Sequence, residues 1–89
     1  IRYEAEHCRS AAYDGEKRIG VAEFDARGGR WSITHTEVDP AYGGQGIARR
    51  LIEELIEAAR RDGAKIVPVC SYAEKMIRGR EEYTDVLAD

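Results

Sequence analysis

Three glycines within four positions, Gly43, Gly44 and Gly46, are the first residues in this sequence whose type and spacing suit chemistry. They sit in Val38-Asp-Pro-Ala-Tyr-Gly-Gly-Gln-Gly-Ile-Ala48 and leave the backbone without side chains, so an outside group can approach the amides closely. Where a helix starts directly after such a run, the amides converge beside the positive end of its dipole and bind anions. The same cluster also reads as a flexible turn between a strand and a helix. Two well-known phosphate loops do not fit. No Gly-Lys-Ser/Thr ending follows, and Arg49 stands where a dinucleotide-binding fingerprint has its third glycine. Arg49 and Arg50 lie in the first turn after the loop, placed either to reach a phosphate or to form ion pairs on the helix surface.

Cys70 falls between a strand and a helix start, at the ligand-facing end of a parallel sheet. A helix dipole there favours the nucleophilic thiolate; the other reading is a small buried hydrophobe. His35 lies in the strand that leads to the glycines. Its ordinary pKa of about 6.5 suits it to take a proton from an ammonium group, and a histidine bonded to a neighbouring strand or packed under the helix reads equally well. Tyr72 and Tyr83 are proton donors or core aromatics. Cys8 and Cys70 are far apart, and His7 and His35 have no ligand spacing, so neither a metal site nor a disulfide framework is expected.

The elements that position these groups follow from period and punctuation. Residues 1–8 give a short extended lead-in through Ile1 and Tyr3. Residues 9–13 and 19–25 read as strands joined at Asp14-Gly15, and Gly28-Gly29 marks a second hairpin. Residues 31–38 form the third strand, with Trp31, Ile33, His35 and Glu37 alternating against Ser32, Thr34, Thr36 and Val38. Loops this short leave an antiparallel meander.

Residues 47–62 predict a helix, because Ala48, Leu51, Ile52, Leu55, Ile56 and Ala59 make an apolar stripe at spacings of three and four. Arg49–Glu53, Arg50–Glu54 and Glu57–Arg61 are the expected surface pairs. Arg60 and Arg61 suit the negative end of the helix, and Gly63 the position just past it. Residues 64–69 then form a buried strand, parallel to residues 31–38 through a right-handed crossover. Pro68 marks a place where pairing stops. Ser71-Tyr-Ala-Glu74 has the form of a capping box, which predicts a second helix from Ser71 to about Arg78. Tyr83, Val86 and Leu87 dock the last residues back on the body.

Composition narrows the classes further. Eighty-nine residues make one domain, residues 1–89, that buries about 60–65% of its unfolded surface. A formal net charge of −3 argues against broad affinity for nucleic acid. No apolar run approaches the roughly 20 residues of a membrane span, and no signal-peptide pattern opens the sequence. The cytoplasm is the expected compartment.

Gly43-Gly-Gln-Gly-Ile-Ala48 resembles motif A of the GCN5-related N-acetyltransferases, whose core reads Gln/Arg-x-x-Gly-x-Gly/Ala; Gly43 replaces the Arg or Gln of the first position. Val67-Pro-Val-Cys-Ser-Tyr72, together with His35-Thr36 and Tyr83, resembles a small subfamily of them. Its members are single short domains reduced to the CoA-binding core, with a Pro-x-Cys segment on the last strand. The resemblance runs from about Arg9 to Leu87. It implies an α/β fold of three antiparallel strands, a crossover helix, a parallel fourth strand and a short C-terminal helix.

The resemblance also implies roles. The amides of Gly43, Gly44, Gln45, Gly46, Ile47 and Ala48, with Arg49, would hold the pyrophosphate of acetyl-CoA. Thr36, Glu37 and Val38 would pair with the pantetheine arm where the two parallel strands splay apart. Cys70 would be catalytic, His35 a base, and Tyr83 or its companion Tyr72 a proton donor to the leaving thiolate. The expected activity is acetyl transfer from acetyl-CoA, the cosubstrate, to an amine acceptor, either a small molecule or a protein lysine or N-terminus. The rival is a non-catalytic CoA-binding or protein-interaction module, since the elements that usually build an acceptor groove are missing.

Overall fold

The computed structural model describes residues 1–88. Five strands form one sheet in sequence order: β1 (Arg2–Glu4), β2 (Arg9–Asp14), β3 (Lys17–Arg27), β4 (Arg30–Val38) and β5 (Lys65–Pro68). The first four are antiparallel and β5 is parallel to β4. Helix α1 (Ile47–Asp62) makes the crossover between them, and helix α2 (Ser71–Ile77) follows β5. The α/β class, the crossover and the parallel pair are as the sequence predicts. The sheet is wider by one antiparallel strand, because the lead-in pairs with β2 (Tyr3↔Ser10).

Helix α1 lies where its stripe requires. Leu51, Ile52, Leu55 and Ile56 are buried against the sheet, each removal from water being worth about 1.5–3 kcal/mol. The Ser10 hydroxyl donates to the Leu51 carbonyl at 2.7 Å, which satisfies a buried polar group and fixes helix to strand. Beside this contact Gly20 admits the Leu51 side chain: a Cβ there would stand 3.2 Å from Leu51 Cδ1. Phe24 stacks on Trp31 at 4.3 Å between ring centroids, and Tyr3 adds a third ring. Of the expected surface pairs Arg49–Glu53 forms (3.2 Å), whereas Glu57 pairs with Arg60. Arg60 also meets Asp85 at 2.9 Å, which ties the chain's last segment to the helix.

The alternation predicted for β4 breaks at a bulge. Glu23 faces His35 but Phe24 faces Ile33, so Thr34 is an extra residue. Before the bulge Trp31 and Ile33 are buried under the helices. After it Thr36 and Val38 take that face, and His35 and Glu37 turn to the open side of the sheet.

Candidate functional site

The sheet opens where β4 and β5 part. Their pairing runs from Arg30↔Lys65 to Ile33↔Pro68. There the N–H groups of Val69 and Cys70 both donate to the Ile33 carbonyl, at 3.1 and 2.9 Å, and the chain leaves the sheet. Pro68 is not what separates the strands. Lys65 and Val69 donate towards the β4 side and Ile66 donates to Val86, so the donor missing at Pro68 is on the C-terminal segment's side. That segment forms a parallel bridge, Ile66↔Leu87, and its pairing ends there.

Beyond Ile33, among the described residues, β4 has a strand only on its β3 side. Asp39 N–H donates to the Ile19 carbonyl at 2.7 Å, and antiparallel alternation from that bond spends the backbone groups of Glu37 and His35 on β3. Those of Thr36 and Val38 are left facing the gap. Of the three residues expected at this edge, two present their backbone and Glu37 does not.

The gap leads into a loop held from below. Asp39 caps the short 3₁₀ turn Pro40–Tyr42 by accepting from Ala41 N–H at 2.9 Å, and the Tyr42 hydroxyl donates to Asp14. That bond raises the pKa of the Tyr42 hydroxyl above its ordinary value. Gly43 N–H is used inside this turn, on the Pro40 carbonyl. The free amides therefore start at Gly44. The first intrahelical bond of α1 runs from Arg50 N–H to the Gly46 carbonyl, so Ile47, Ala48 and Arg49 have no partner within the helix.

Helix α1 begins against the usual rules. Gly46 holds the N-cap position with a left-handed backbone (φ +73°) and no capping side chain, and the first turn contains no acidic residue. Instead Arg49 and Arg50 stand there. A Cβ on Gly44 or Gly46 would meet no protein atom within 4 Å, so the space over these amides is open. Val38, Tyr42, Gly43, Gly44, Gly46, Ile47, Ala48, Arg49 and Tyr72 line a cleft of about 250 Å³ over the loop. A larger hollow of about 350 Å³ lies around Arg18, Gly20 and Glu37. It includes none of these unpartnered amides, so the chemistry belongs to the smaller one.

Cys70 closes the inner end of the gap. It is half-buried, packs against the core, and its Sγ lies 3.5 Å from Thr36 Oγ1 on the facing strand. The same sulfur accepts from Ala73 N–H at 3.4 Å, so Cys70 is the N-cap of α2. The capping box expected at Ser71 is corrected by this. Ser71 is the first helical residue, and Glu74 pairs with Arg78.

The structure does not bring all the predicted residues together. His35 is on the other face of β4, its side chain 51% exposed and bonded to Glu37 at 3.0 Å, because the bulge at Thr34 reverses its direction. Tyr83 is 7% exposed and lies in the core on the 3₁₀ turn Glu81–Tyr83. The Arg49 pKa is raised, chiefly by its bond to Glu53. Of the two tyrosines expected as proton donors, Tyr72 and not Tyr83 lines the cleft. The signal for this was Tyr72's position two residues after Cys70, at the start of the second helix.

Known proteins show what this arrangement is similar to. The family profile described as GCN5-related N-acetyl-transferase matches residues 8–86. A solution structure of a GCN5-like putative N-acetyltransferase from Staphylococcus aureus superposes with a TM-score of 0.70 at 28% identity, covering 89% of this chain and 78% of that one. The ribosomal-protein-S18-alanine N-acetyltransferase from Escherichia coli shares the fold, with a TM-score of 0.60 at 24% identity over 71% of this chain; the chain spans 43% of that enzyme's length. No curated protein matches the sequence. With a match that runs almost from end to end, the chain belongs to the GCN5-related N-acetyl-transferase family.

Proposed function

We propose that the protein transfers an acetyl group from acetyl-CoA to an amine. The observation that carries this reading is the uncapped start of α1, its free amides beside a cleft that Val38, on the gap edge of β4, also lines. The backbone amides of Gly44, Gln45, Gly46, Ile47 and Ala48, with Arg49, hold the pyrophosphate. The free backbone groups of Thr36 and Val38 hold the pantetheine arm as a strand would, and this directs the thioester towards Cys70.

In the transfer a new C–N bond forms at the acetyl carbonyl and the C–S bond to CoA breaks. The acceptor must first lose a proton, and the CoA thiolate must gain one. Cys70 is the group positioned for this step. As nucleophile it takes the acetyl group from CoA and passes it to the amine; as proton carrier it serves a direct attack. His35 is too far round the strand to share the task.

Free thiol release from acetyl-CoA, measured in the presence of lysine peptides and polyamines, tests the proposal. The parent protein should bind acetyl-CoA and turn over with one of these amines. Cys70→Ser should still bind it, since the amides are untouched, and lose turnover on the order of a hundredfold. An acetyl group trapped on Cys70 favours the covalent route. Undiminished turnover in Cys70→Ser removes the cysteine from the mechanism, and binding without turnover for any acceptor favours a non-catalytic CoA-binding module.

A further inference from the structure

The glycine loop is unequally fastened along its length. The turn Pro40–Tyr42 that precedes the glycines is tied to the β2–β3 hairpin at three points. Asp39 N–H donates to the Ile19 carbonyl, Lys17 Nζ lies 3.7 Å from Asp39 Oδ2, and the Tyr42 hydroxyl donates to Asp14 Oδ2. Past Tyr42 the fastening stops. Gly43 N–H bonds back into the turn, and Gly44 and Gln45 have no hydrogen-bond partner among the described residues. The three ties differ in weight. Lys17 is 66% exposed and its ion pair is long, so it adds little. The Asp39–Ile19 bond continues the β3–β4 ladder and fixes only the entry to the turn. The Tyr42–Asp14 bond fixes the exit, spans 28 residues and has a carboxylate as acceptor.

That exit is where order matters most. Glycine loses more conformational freedom on ordering than any other residue, and a ligand that must order the loop loses that much affinity. A loop held ready at Tyr42 spares the ligand this loss. Asp14 itself is exposed and does not line the cleft, whereas Tyr42 does. We propose that Asp14 is a positioning residue for the anion loop: through Tyr42 it holds the amides of residues 44–48 ready for the pyrophosphate. This rests on the acetyl-CoA reading above and adds to it a determinant of affinity, on another hairpin, that never touches the ligand.

Calorimetry with acetyl-CoA on Asp14→Ala, Asp14→Asn and Tyr42→Phe is the test, because charge and brace predict opposite signs. Removing a carboxylate beside a phosphate-binding loop should tighten binding where charge alone acts. The brace requires instead that Asp14→Ala weaken binding about tenfold, the scale of one hydrogen bond to a charged group. Asp14→Asn loses the same charge but keeps an acceptor for the Tyr42 hydroxyl, and should recover most of the affinity. Tyr42→Phe should match Asp14→Ala, and the two combined should weaken binding no further, since both remove one bond. In turnover, KM for acetyl-CoA should rise and kcat stay unchanged, because Cys70 is untouched. A second readout needs no ligand: NMR order parameters at Gly44 and Gly46 should fall in Asp14→Ala from about 0.85, the value of rigid backbone, towards 0.6. Equal or tighter binding by Asp14→Ala, additive losses in the double variant, or unchanged order parameters overturn the brace and leave the acetyl-CoA site standing. Failure of the parent to bind acetyl-CoA overturns that reading and this proposal together.

Discussion

The two ends of α1 start from the same backbone geometry and finish in opposite ways. Gly46 precedes the helix at φ +73°, ψ 17°, and Gly63 follows it at φ +70°, ψ 22°. At the C-terminal end every usual device is present. Gly63 N–H bonds back to Ala59 and Arg60, Ala64 N–H joins it, and Arg60 and Arg61 lie in the last turn. At the N-terminal end none is present: no capping side chain, no acidic residue, and two arginines of the wrong sign for the dipole. One end is built for stability. The other leaves its donors unpartnered within the helix, and a local rule broken without a compensating contact is expected at a functional or strained site; on that ground we propose the pyrophosphate site there.

The comparison can be broken by one matched pair of substitutions. A Cβ at either glycine meets no protein atom within 4 Å, so Gly46→Ala and Gly63→Ala carry the same backbone strain, about 1–2 kcal/mol. Both should lower the midpoint of thermal unfolding by similar amounts. Only the change at Gly46 should affect acetyl-CoA binding, and the bulkier Gly46→Val should weaken it on the order of a hundredfold, the scale of one or two charge-assisted bonds. Calorimetry on the folded variants decides this. Equal affinity in Gly46→Val and the parent would move the pyrophosphate elsewhere.

A smaller effect sharpens the same contrast by repairing the unfinished end. Arg50→Glu supplies the missing first-turn carboxylate and should stabilise the unliganded protein by about 0.3–1 kcal/mol. The same change should weaken acetyl-CoA binding several-fold, through repulsion of the phosphates. A variant that gains stability and keeps its affinity would show that the arginines are surface charges only.

The smallest effect belongs to the finished end. Arg60 holds the Asp85 carboxyl below its ordinary pKa. A depressed folded-state value means that the contribution is present above the unfolded pKa of about 3.8 and is lost as pH falls through the folded value. Asp85→Asn should therefore lower stability slightly at neutral pH and flatten the acid limb of a melting-temperature profile. Acetyl-CoA affinity at neutral pH should not change.

Much of this was legible in the sequence, and the contrast between the ends of α1 shows why. The helix matches its predicted limits, Ile47–Asp62, because sixteen residues of apolar period and a terminal glycine act together. The extended lead-in was legible, but its pairing into the sheet as β1 was not. Three residues carry no period, and Arg2–Glu4 becomes a strand only because β2 offers it an edge. The bulge at Thr34 was equally hidden, and it carried His35 away from the cleft. The N-cap of α2 went to the sulfur of Cys70 instead of the hydroxyl of Ser71, since tertiary contact with Thr36 fixes where the chain turns. The glycine loop was visible as a loop; which of its amides stay free was not, as Gly43 N–H is spent on Pro40.

Backbone amide NMR, followed as acetyl-CoA is added, tests the central claim most directly. Saturable shifts should concentrate at residues 44–49, Thr36, Val38 and Cys70, with Gly63 and strands β1 and β2 undisturbed. Shifts gathered instead around Arg18, Val21 and His35, or no saturable shift at the start of α1, would contradict the assignment of the uncapped helix end as the acetyl-CoA site.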